Sequence, residues 1–200
     1  MSRSTRWSRA DLARRTARLG ACLGAGLVAL ALPLMAMAHH QRVDAPPLPP
    51  AVAALAPGLV PQGGGVLRFL GIAVYDGWYW SEDRSWSLER AFALDLHYHR
   101  SLDGSKIAER SIDEIAGLGL GSPAQRSRWG EFMRGIFPDV QKGDRITGVH
   151  LPPATVRYFH NGRPIGEIVD REFARAFFGI WLDPRTSRRD FRSKLLSEQP

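Results

Sequence analysis

Two strand-like segments separated by Asn161-Gly162 constrain the fold of this chain more than any other feature of its sequence. Ala154–His160 and Arg163–Val169 flank this dipeptide. Both of its residues tolerate the positive φ angles that a two-residue type I′ turn requires. The sequence therefore predicts an antiparallel β-hairpin over residues 154–169.

A helix is predicted directly after the hairpin. Asp170 is suited to cap its first turn, and Pro184 ends it, because the residue before a proline is disfavoured in the α conformation. The spacing i, i+4, i+7 and i+8 places four apolar residues on one helical face. These are Phe173, Phe177, Ile180 and Trp181. We expect this aromatic face to lie flat on the sheet.

Several segments resemble a known family. FPDVQKGDRI at residues 137–146, the hairpin, and FARAFFGIWLDP at residues 173–184 are together similar to the bacterial chalcone isomerase-like proteins. GVLRFLGIAVY at residues 65–75 resembles the opening strand of that family. The resemblance covers residues 63–196 and implies the fold, although one fold hosts many functions.

The first 38 residues have the layout of a secretory signal peptide. Met1–Arg18 holds six arginines and one acidic residue, and Leu19–Ala38 carries no charge. Ala36-Met37-Ala38 provides a small-x-small cleavage site. Cleavage would give a periplasmic or secreted protein, whereas an uncleaved leader could anchor the chain in the inner membrane. Ordinary secretion and twin-arginine export, whose signal could begin at Arg14-Arg15, both stay open.

Most of the positive charge of the chain belongs to this leader. The formal net charge is +7, and the six arginines and one acid of the leader account for five of those charges. A strongly basic chain suggests nucleic acid or anionic membranes as partners. With the leader removed, no nucleic-acid partner is predicted, and membrane contact is expected only through an uncleaved leader. Cys22 is the only cysteine and lies in the leader, so no disulfide is predicted in the mature chain.

Residues 39–62 are predicted to form a proline-rich linker, because Pro46-Pro47-Leu48-Pro49-Pro50 favours polyproline II. The pair His39-His40 could bind copper at a new amino terminus, but a solvated tail is the favoured interpretation. Residues 63–200 are predicted to form one domain, since a chain of this length can bury an ordinary core without disulfides.

The segment Val66–Tyr75 is apolar on both faces, which is typical of a central strand. Arg68 would lie on one face of this strand with apolar neighbours such as Leu70. An arginine in that position must find an anion or reach out to water. Its predicted partner is a protein carboxylate, such as Asp95 or Glu167, or the carboxylate of a bound ligand.

The segment Phe92–His99 alternates between apolar and polar residues, as a half-buried strand does. Its polar side carries Asp95, His97 and His99, which could form either a metal site or a polar face of the sheet. The polar face is the favoured interpretation, because no third histidine is placed nearby. No metal and no cofactor are therefore predicted.

Two helices are predicted ahead of the hairpin. Asp103 is suited to begin the first, and Ser122-Pro123-Ala124-Gln125 begins the second with a capping box. A strand at Asp144–Leu151 leads into the hairpin, and a last helix begins near Thr186. The order is strands, two helices, strands, two helices. It predicts an α+β domain whose antiparallel sheet is packed by helices on one face, which is also the fold that the resemblance implies.

No serine-nucleophile elbow, zinc-protease motif or Cys–His pair occurs in the sequence. The resemblance implies an arginine on an early strand, with tyrosine and asparagine near the first helix, as the groups that hold an enolate. The chain has Gly104 at the tyrosine position and Arg110 or Ser111 at the asparagine position. Binding without catalysis is therefore favoured, and no catalytic residue is assigned. The candidate ligand-binding residues are Arg68, Tyr75 and Tyr98.

Three functions remain compatible with the sequence. The favoured one is an exported, non-catalytic protein that binds a fatty acid or similar apolar carboxylate between sheet and helices, as the resemblance implies through non-enzymatic members of the wider fold. The second is an intramolecular lyase or isomerase acting on a chalcone-like enone. The third is a structural or interaction module of the envelope without a ligand. The oligomeric state stays open.

Overall fold

The computed structural model describes residues 44–198 of the chain. The predicted signal peptide at residues 1–38 and the pair His39-His40 lie outside the described residues. Within the part described, no helix is long and apolar enough to cross a membrane. In chain order the elements are α1 (Pro50–Leu55), β1 (Val60–Phe69), β2 (Ile72–Ser81), β3 (Phe92–Tyr98), α2 (Gly104–Gly117), α3 (Pro123–Ile136), β4 (Arg145–Leu151), β5 (Thr155–His160), β6 (Arg163–Val169), α4 (Arg171–Leu182) and α5 (Arg189–Leu195).

The strands form one six-stranded antiparallel sheet, in which each strand pairs with the next one along the chain. The hairpin predicted around Asn161-Gly162 is confirmed, because these residues have φ angles of 50° and 78° and His160 pairs with Arg163. Local turn chemistry therefore sets the pairing next to the turn, and an irregularity between Phe159 and Tyr158 shifts the register of the rest of β5 and β6. The predicted α+β fold with an antiparallel sheet is also confirmed.

Helix α4 begins where the sequence predicted. The Asp170 carboxylate accepts a hydrogen bond from the backbone N–H of Phe173 at 3.0 Å, and its other oxygen accepts one from Trp129 Nε1 at 2.9 Å. One side chain therefore caps α4 and joins it to α3. The helix is buried on more sides than one apolar face would require, since Phe178 and Leu182 are also buried.

The two faces of the sheet are covered differently. One face carries the larger apolar core and packs against α2, α3, α4 and α5. The opposite face packs against α1, where Val52 and Ala56 join Trp78, Trp80 and Phe159 in a smaller core. The prediction of helices on one face thus holds for the four longer helices, and α1 lies on the other face.

The predicted central strand Val66–Tyr75 is wrong. The chain turns at Leu70-Gly71, with φ angles of 48° and 79°, so the segment is a hairpin between β1 and β2, and β1 is an edge strand. A leucine is rarely found at positive φ. Leu70-Gly71 also lacks the Asn or Asp that signals such a turn in a sequence, so the turn could not be recognised from the sequence.

The predicted linker at residues 39–62 is wrong for its second half. Pro50 opens α1 at a position where a missing N–H costs nothing, and Val52 and Ala56 are buried against the sheet. The preceding Pro47 carbonyl accepts a hydrogen bond from Arg145 Nη1 at 2.9 Å. Residues 60–62 already belong to β1. Burial of small apolar side chains outweighs the extended preference of the prolines here.

Candidate functional site

A cavity of about 540 Å³ lies between the sheet and the helices at the end nearest the β1–β2 turn. Its walls come from β1, β2 and β3 on the sheet side and from α2 and α4 on the helix side. The lining is predominantly apolar and includes Leu67, Val74, Leu96, Ile107, Phe177 and Ile180. A concave apolar space of this size is typical of sites for small organic ligands.

Cationic side chains line the same cavity. Arg100 follows β3, Lys106 and Arg110 lie on α2, and Arg188 precedes α5. Arg100 and Arg188 make no salt bridge within residues 44–198. Among the described residues that line the cavity, Glu114 is the only acid, and it is paired with Arg110. The cavity therefore combines apolar walls with an excess of positive charge.

Two tyrosines lie together in the cavity wall. The rings of Tyr75 and Tyr98 pack edge to face with centroids 5.7 Å apart. The Tyr75 hydroxyl accepts a hydrogen bond from Trp181 Nε1 at 2.8 Å. Burial raises the pKa of Tyr75 and the pKa of Tyr98 well above the usual range of a phenol. A phenol with a raised pKa is neutral at neutral pH, so each hydroxyl can donate a hydrogen bond.

The hydroxyl of Tyr98 differs from that of Tyr75 in its partners. Among the described residues, no group hydrogen-bonds to the Tyr98 hydroxyl, although the side chain is buried. Its oxygen is not one of the enclosed polar atoms that lack a partner, so it reaches the space of the cavity. Tyr98 is thus a free donor in the cavity wall. Both predicted tyrosines line the cavity, and their contact with a ligand stays a prediction.

Arg68 does not lie in the cavity. Its side chain is exposed at the end of edge strand β1, and Nη1 donates a hydrogen bond to the Gly71 carbonyl at 3.1 Å. The prediction that Arg68 lies on a buried strand face is wrong, because β1 ends at Phe69, just before the turn at Leu70-Gly71. Its neighbour Leu67 points inward and lines the cavity instead.

Sequence reasoning missed the cationic lining. Lys106 and Arg110 are four residues apart on a predicted helix, so their common face was visible in the sequence. Arg100 and Arg188 offered no such signal, because they come from loops that the fold brings to one end of the sheet.

The polar side of β3 faces away from the cavity and forms an ion-pair network. The buried Asp95 carboxylate accepts hydrogen bonds from Arg145 at 2.6 and 2.7 Å, from Thr147 at 2.7 Å and from His97 at 3.0 Å. His99 lies 3.0 Å from a different carboxylate, that of Asp76. No group of three or more His, Cys, Asp or Glu within residues 44–198 could hold a metal ion. Asp95 is thus committed to an arginine on the neighbouring strand.

Comparison with solved structures supports the fold. The chain is similar to the crystal structure of a fatty-acid binding protein of Arabidopsis thaliana, with a TM-score of 0.55 and 10% sequence identity. The similarity covers 70% of this chain and 88% of that protein. At this low identity the likeness establishes the architecture alone.

Comparison with other sequences establishes the family. An uncharacterized protein of Haemophilus influenzae is 29% identical over 110 residues, which are 55% of this chain and 54% of that protein. The chain therefore spans about half the length of the curated relative it matches. A sequence model described as chalcone isomerase-like matches residues 92–197, which run from β3 through α5. This match covers more than half of the chain and confirms the resemblance noted above, so the chain belongs to the chalcone isomerase-like family.

Proposed function

We propose that this protein is an exported, non-catalytic binder of a fatty acid or a similar apolar carboxylate. The observation that supports this function is a cavity with apolar walls and unpaired cations in one lining. The structural likeness to a plant fatty-acid binding protein agrees with this choice at the level of the fold.

The apolar walls suit an acyl chain. Leu67, Leu96, Phe177 and Ile180 present hydrocarbon surface to a space of about 540 Å³. Each methylene group moved from water into such a space contributes about 0.8 kcal/mol. An acyl chain of a dozen or more carbons gains enough in this way to offset the cost of immobilising it.

Tyr98 and Arg100 suit the carboxylate. They lie two residues apart, both line the cavity, and Arg100 makes no salt bridge within residues 44–198. A guanidinium offers paired donors that match a carboxylate, and a neutral phenol adds a third. Arg100 is exposed, so the bound carboxylate would stay near water instead of being buried as an isolated charge.

Binding is tested on protein recovered from its host cell. Mass spectrometry of the organic extract should show co-purified fatty acid, and titration of delipidated protein should show micromolar or tighter binding. Arg100→Met should weaken binding of the acid by about tenfold but leave binding of its methyl ester unchanged, because a charged hydrogen bond is worth about 1.5–3 kcal/mol. Arg163→Met is the matched control, since Arg163 is an exposed arginine on β6 outside the cavity lining.

Two results would overturn this function. Wild-type protein that binds no acyl chain at micromolar concentration would leave the cavity without the proposed ligand. Turnover of a chalcone-like enone, followed by ultraviolet absorption and lost in Arg100→Met, would replace binding by isomerisation.

Export is tested separately. The leader at residues 1–38 should be removed, so amino-terminal sequencing of protein from the cell envelope should begin at His39. A mature cytoplasmic species that begins at Met1 would contradict export without affecting the proposed ligand.

A further inference from the structure

The tip of the β1–β2 hairpin exposes a cluster of large apolar side chains. Leu70 is 86% exposed, Ile72 is 56% exposed and Phe69 is 49% exposed. Phe69 and Ile72 pair across the turn that contains Leu70, and all three residues also line the cavity. Apolar side chains grouped in this way on a surface indicate an interaction site, whereas single exposed ones do not.

Leucine is an unfavourable residue for the turn at the hairpin tip. Leu70 has a φ angle of 48°, a conformation that Asn, Asp or Gly adopts with less strain. A leucine at this position therefore adds backbone strain and leaves its side chain in water. Packing within the described residues does not offset either cost, because the Leu70 side chain is almost wholly exposed.

Cations surround the apolar tip. Arg68 lies next to it on β1, the Arg188 guanidinium lies 5.4 Å from the ring centroid of Phe69, and Arg100 lines the same cavity. None of these three arginines makes a salt bridge within residues 44–198. Lys106 and Arg110 add positive charge nearby but are each paired with a glutamate of their own helix.

We propose that the β1–β2 hairpin tip is a membrane-docking surface for bilayers that contain anionic phospholipids. Leu70, Phe69 and Ile72 enter the interfacial region, and the arginines contact the phosphates of the lipid headgroups. An apolar tip ringed by basic residues combines the two terms that hold proteins at such an interface, apolar burial and electrostatic attraction.

The charge around the tip decides between possible partners. A second copy of this chain docking through the same surface would bring Arg68, Arg100 and Arg188 of both copies together, and like charges repel. An anionic bilayer neutralises them all at once and accepts the apolar side chains in the same contact. Docking would also place the cavity opening against the bilayer, although the docking itself does not depend on the proposed fatty-acid ligand.

Docking is tested with an environment-sensitive fluorescent label at the tip. Leu70→Cys is made in the mature protein without the leader, because an uncleaved leader could itself insert into the vesicles. Cys22 is removed with the leader, so the label has one site. Val169→Cys is the matched control, because Val169 is an apolar residue that is 69% exposed at the end of β6, the opposite edge strand of the sheet. Each labelled protein is mixed with vesicles of phosphatidylcholine with or without phosphatidylglycerol, free of fatty acid.

The label at residue 70 should move into an apolar environment with phosphatidylglycerol vesicles, and the label at residue 169 should stay in water. Binding should weaken by about tenfold or more without the anionic lipid and should fall as salt is added. Arg188→Gln should reduce the affinity for anionic vesicles by about fivefold, which corresponds to one cation near the surface.

Two outcomes would overturn the proposal. The label at residue 70 could remain as water-exposed as the label at residue 169 with every vesicle. Alternatively, both labels could enter the bilayer equally, which would place the contact elsewhere in the chain. Since these vesicles contain no fatty acid, either outcome leaves the solution titration of the cavity ligand unaffected, so the two proposals fail independently.

Discussion

The helix-covered face of the sheet has a filled half and an open half. In the filled half, around β5, α3 and the first turns of α4, aromatic rings occupy the space between sheet and helices. The ring centroids of Phe173 and Phe177 are 5.6 Å apart, and those of Tyr158 and Phe177 are 5.2 Å apart. In the open half, between β1–β3 and α2, the same layer contains the cavity of about 540 Å³.

Helix α4 belongs to both halves. Its first turns supply Phe173, which is fully buried among aromatic rings, and its last turns supply Ile180 and Trp181, which line the cavity. Phe177 stands between them and contributes to both. One helix thus builds a close-packed core at one end and a binding wall at the other. Stability and ligand binding should therefore respond to different substitutions in this layer.

The largest expected effect compares one substitution in two regions. Phe173→Ala removes a fully buried ring from the filled half and should lower the free energy of unfolding by about 3–5 kcal/mol. Phe69→Ala, at the exposed rim of the open half, should change it by no more than about 0.5 kcal/mol. Urea denaturation of both proteins checks the pair. Equal losses would show that the rim is as tightly packed as the core.

A larger side chain should destabilise the filled half more than the open half. Ala174→Leu overfills a fully buried site on α4 and should cost about 1–3 kcal/mol of stability. Ile107→Phe adds volume into the cavity from α2, so its stability cost should stay below about 0.5 kcal/mol. Ile107→Phe should also weaken fatty-acid binding by about tenfold or more, because the larger ring occupies space that the ligand needs. Thermal unfolding and ligand titration together decide whether the cavity tolerates the larger side chain.

A buried histidine makes the stability of the core depend on pH. His150 is fully buried between the rings of Phe92 and Phe178, and its Nε2 is 2.9 Å from the Leu88 carbonyl. Burial lowers the pKa of His150 below the usual value of 6.5. As the pH falls below 6.5, the unfolded chain therefore takes up a proton that the folded protein refuses.

The folded protein should consequently lose stability as the pH falls from 6.5 toward the lowered pKa of His150. His150→Phe should reduce the slope of the unfolding free energy against pH in that interval, whatever its effect on stability at pH 7. Urea denaturation at pH 7, 6 and 5 measures the slope. A slope unchanged by the substitution would show that His150 contributes nothing to it.

Local sequence signals predicted most of this fold but not its open half. Asn161-Gly162 and Asp170 identified the β5–β6 hairpin and α4, because turn and cap residues act within a few positions of the chain. Leu70-Gly71 gave no such signal, and the apolar run through it suggested one strand where there are two. The misplacement of Arg68 follows from that single turn.

The cavity could not be predicted from the sequence, because it is a property of packing between distant segments. In the sequence, Val74 and Ile107 are ordinary apolar residues, and only the arrangement of β2 and α2 shows that the space between them is unfilled. Arg100 and Arg188 lie 88 positions apart in the numbering and meet in one lining only through the fold. Tyr75 and Tyr98 were named separately as candidate ligand-binding residues, and the structure places both rings in the cavity wall, where contact with a ligand stays a prediction.

The smallest expected effect compares two tyrosines whose hydroxyls have no partner among the described residues. Tyr158 lies fully buried in the filled half, and its hydroxyl is enclosed without a hydrogen bond. Tyr98 lies in the cavity wall of the open half.

Tyr158→Phe removes an unsatisfied polar group and should leave stability unchanged or raise it by up to about 1 kcal/mol, with no effect on ligand affinity. Tyr98→Phe should leave stability within about 0.5 kcal/mol but weaken binding of a fatty acid by several-fold, since the neutral phenol no longer donates to the carboxylate. Thermal unfolding and titration with a fatty acid and its methyl ester measure both variants. If Tyr158→Phe alters ligand affinity, or Tyr98→Phe weakens the ester as much as the acid, the two halves do not divide stability from binding as this layer indicates.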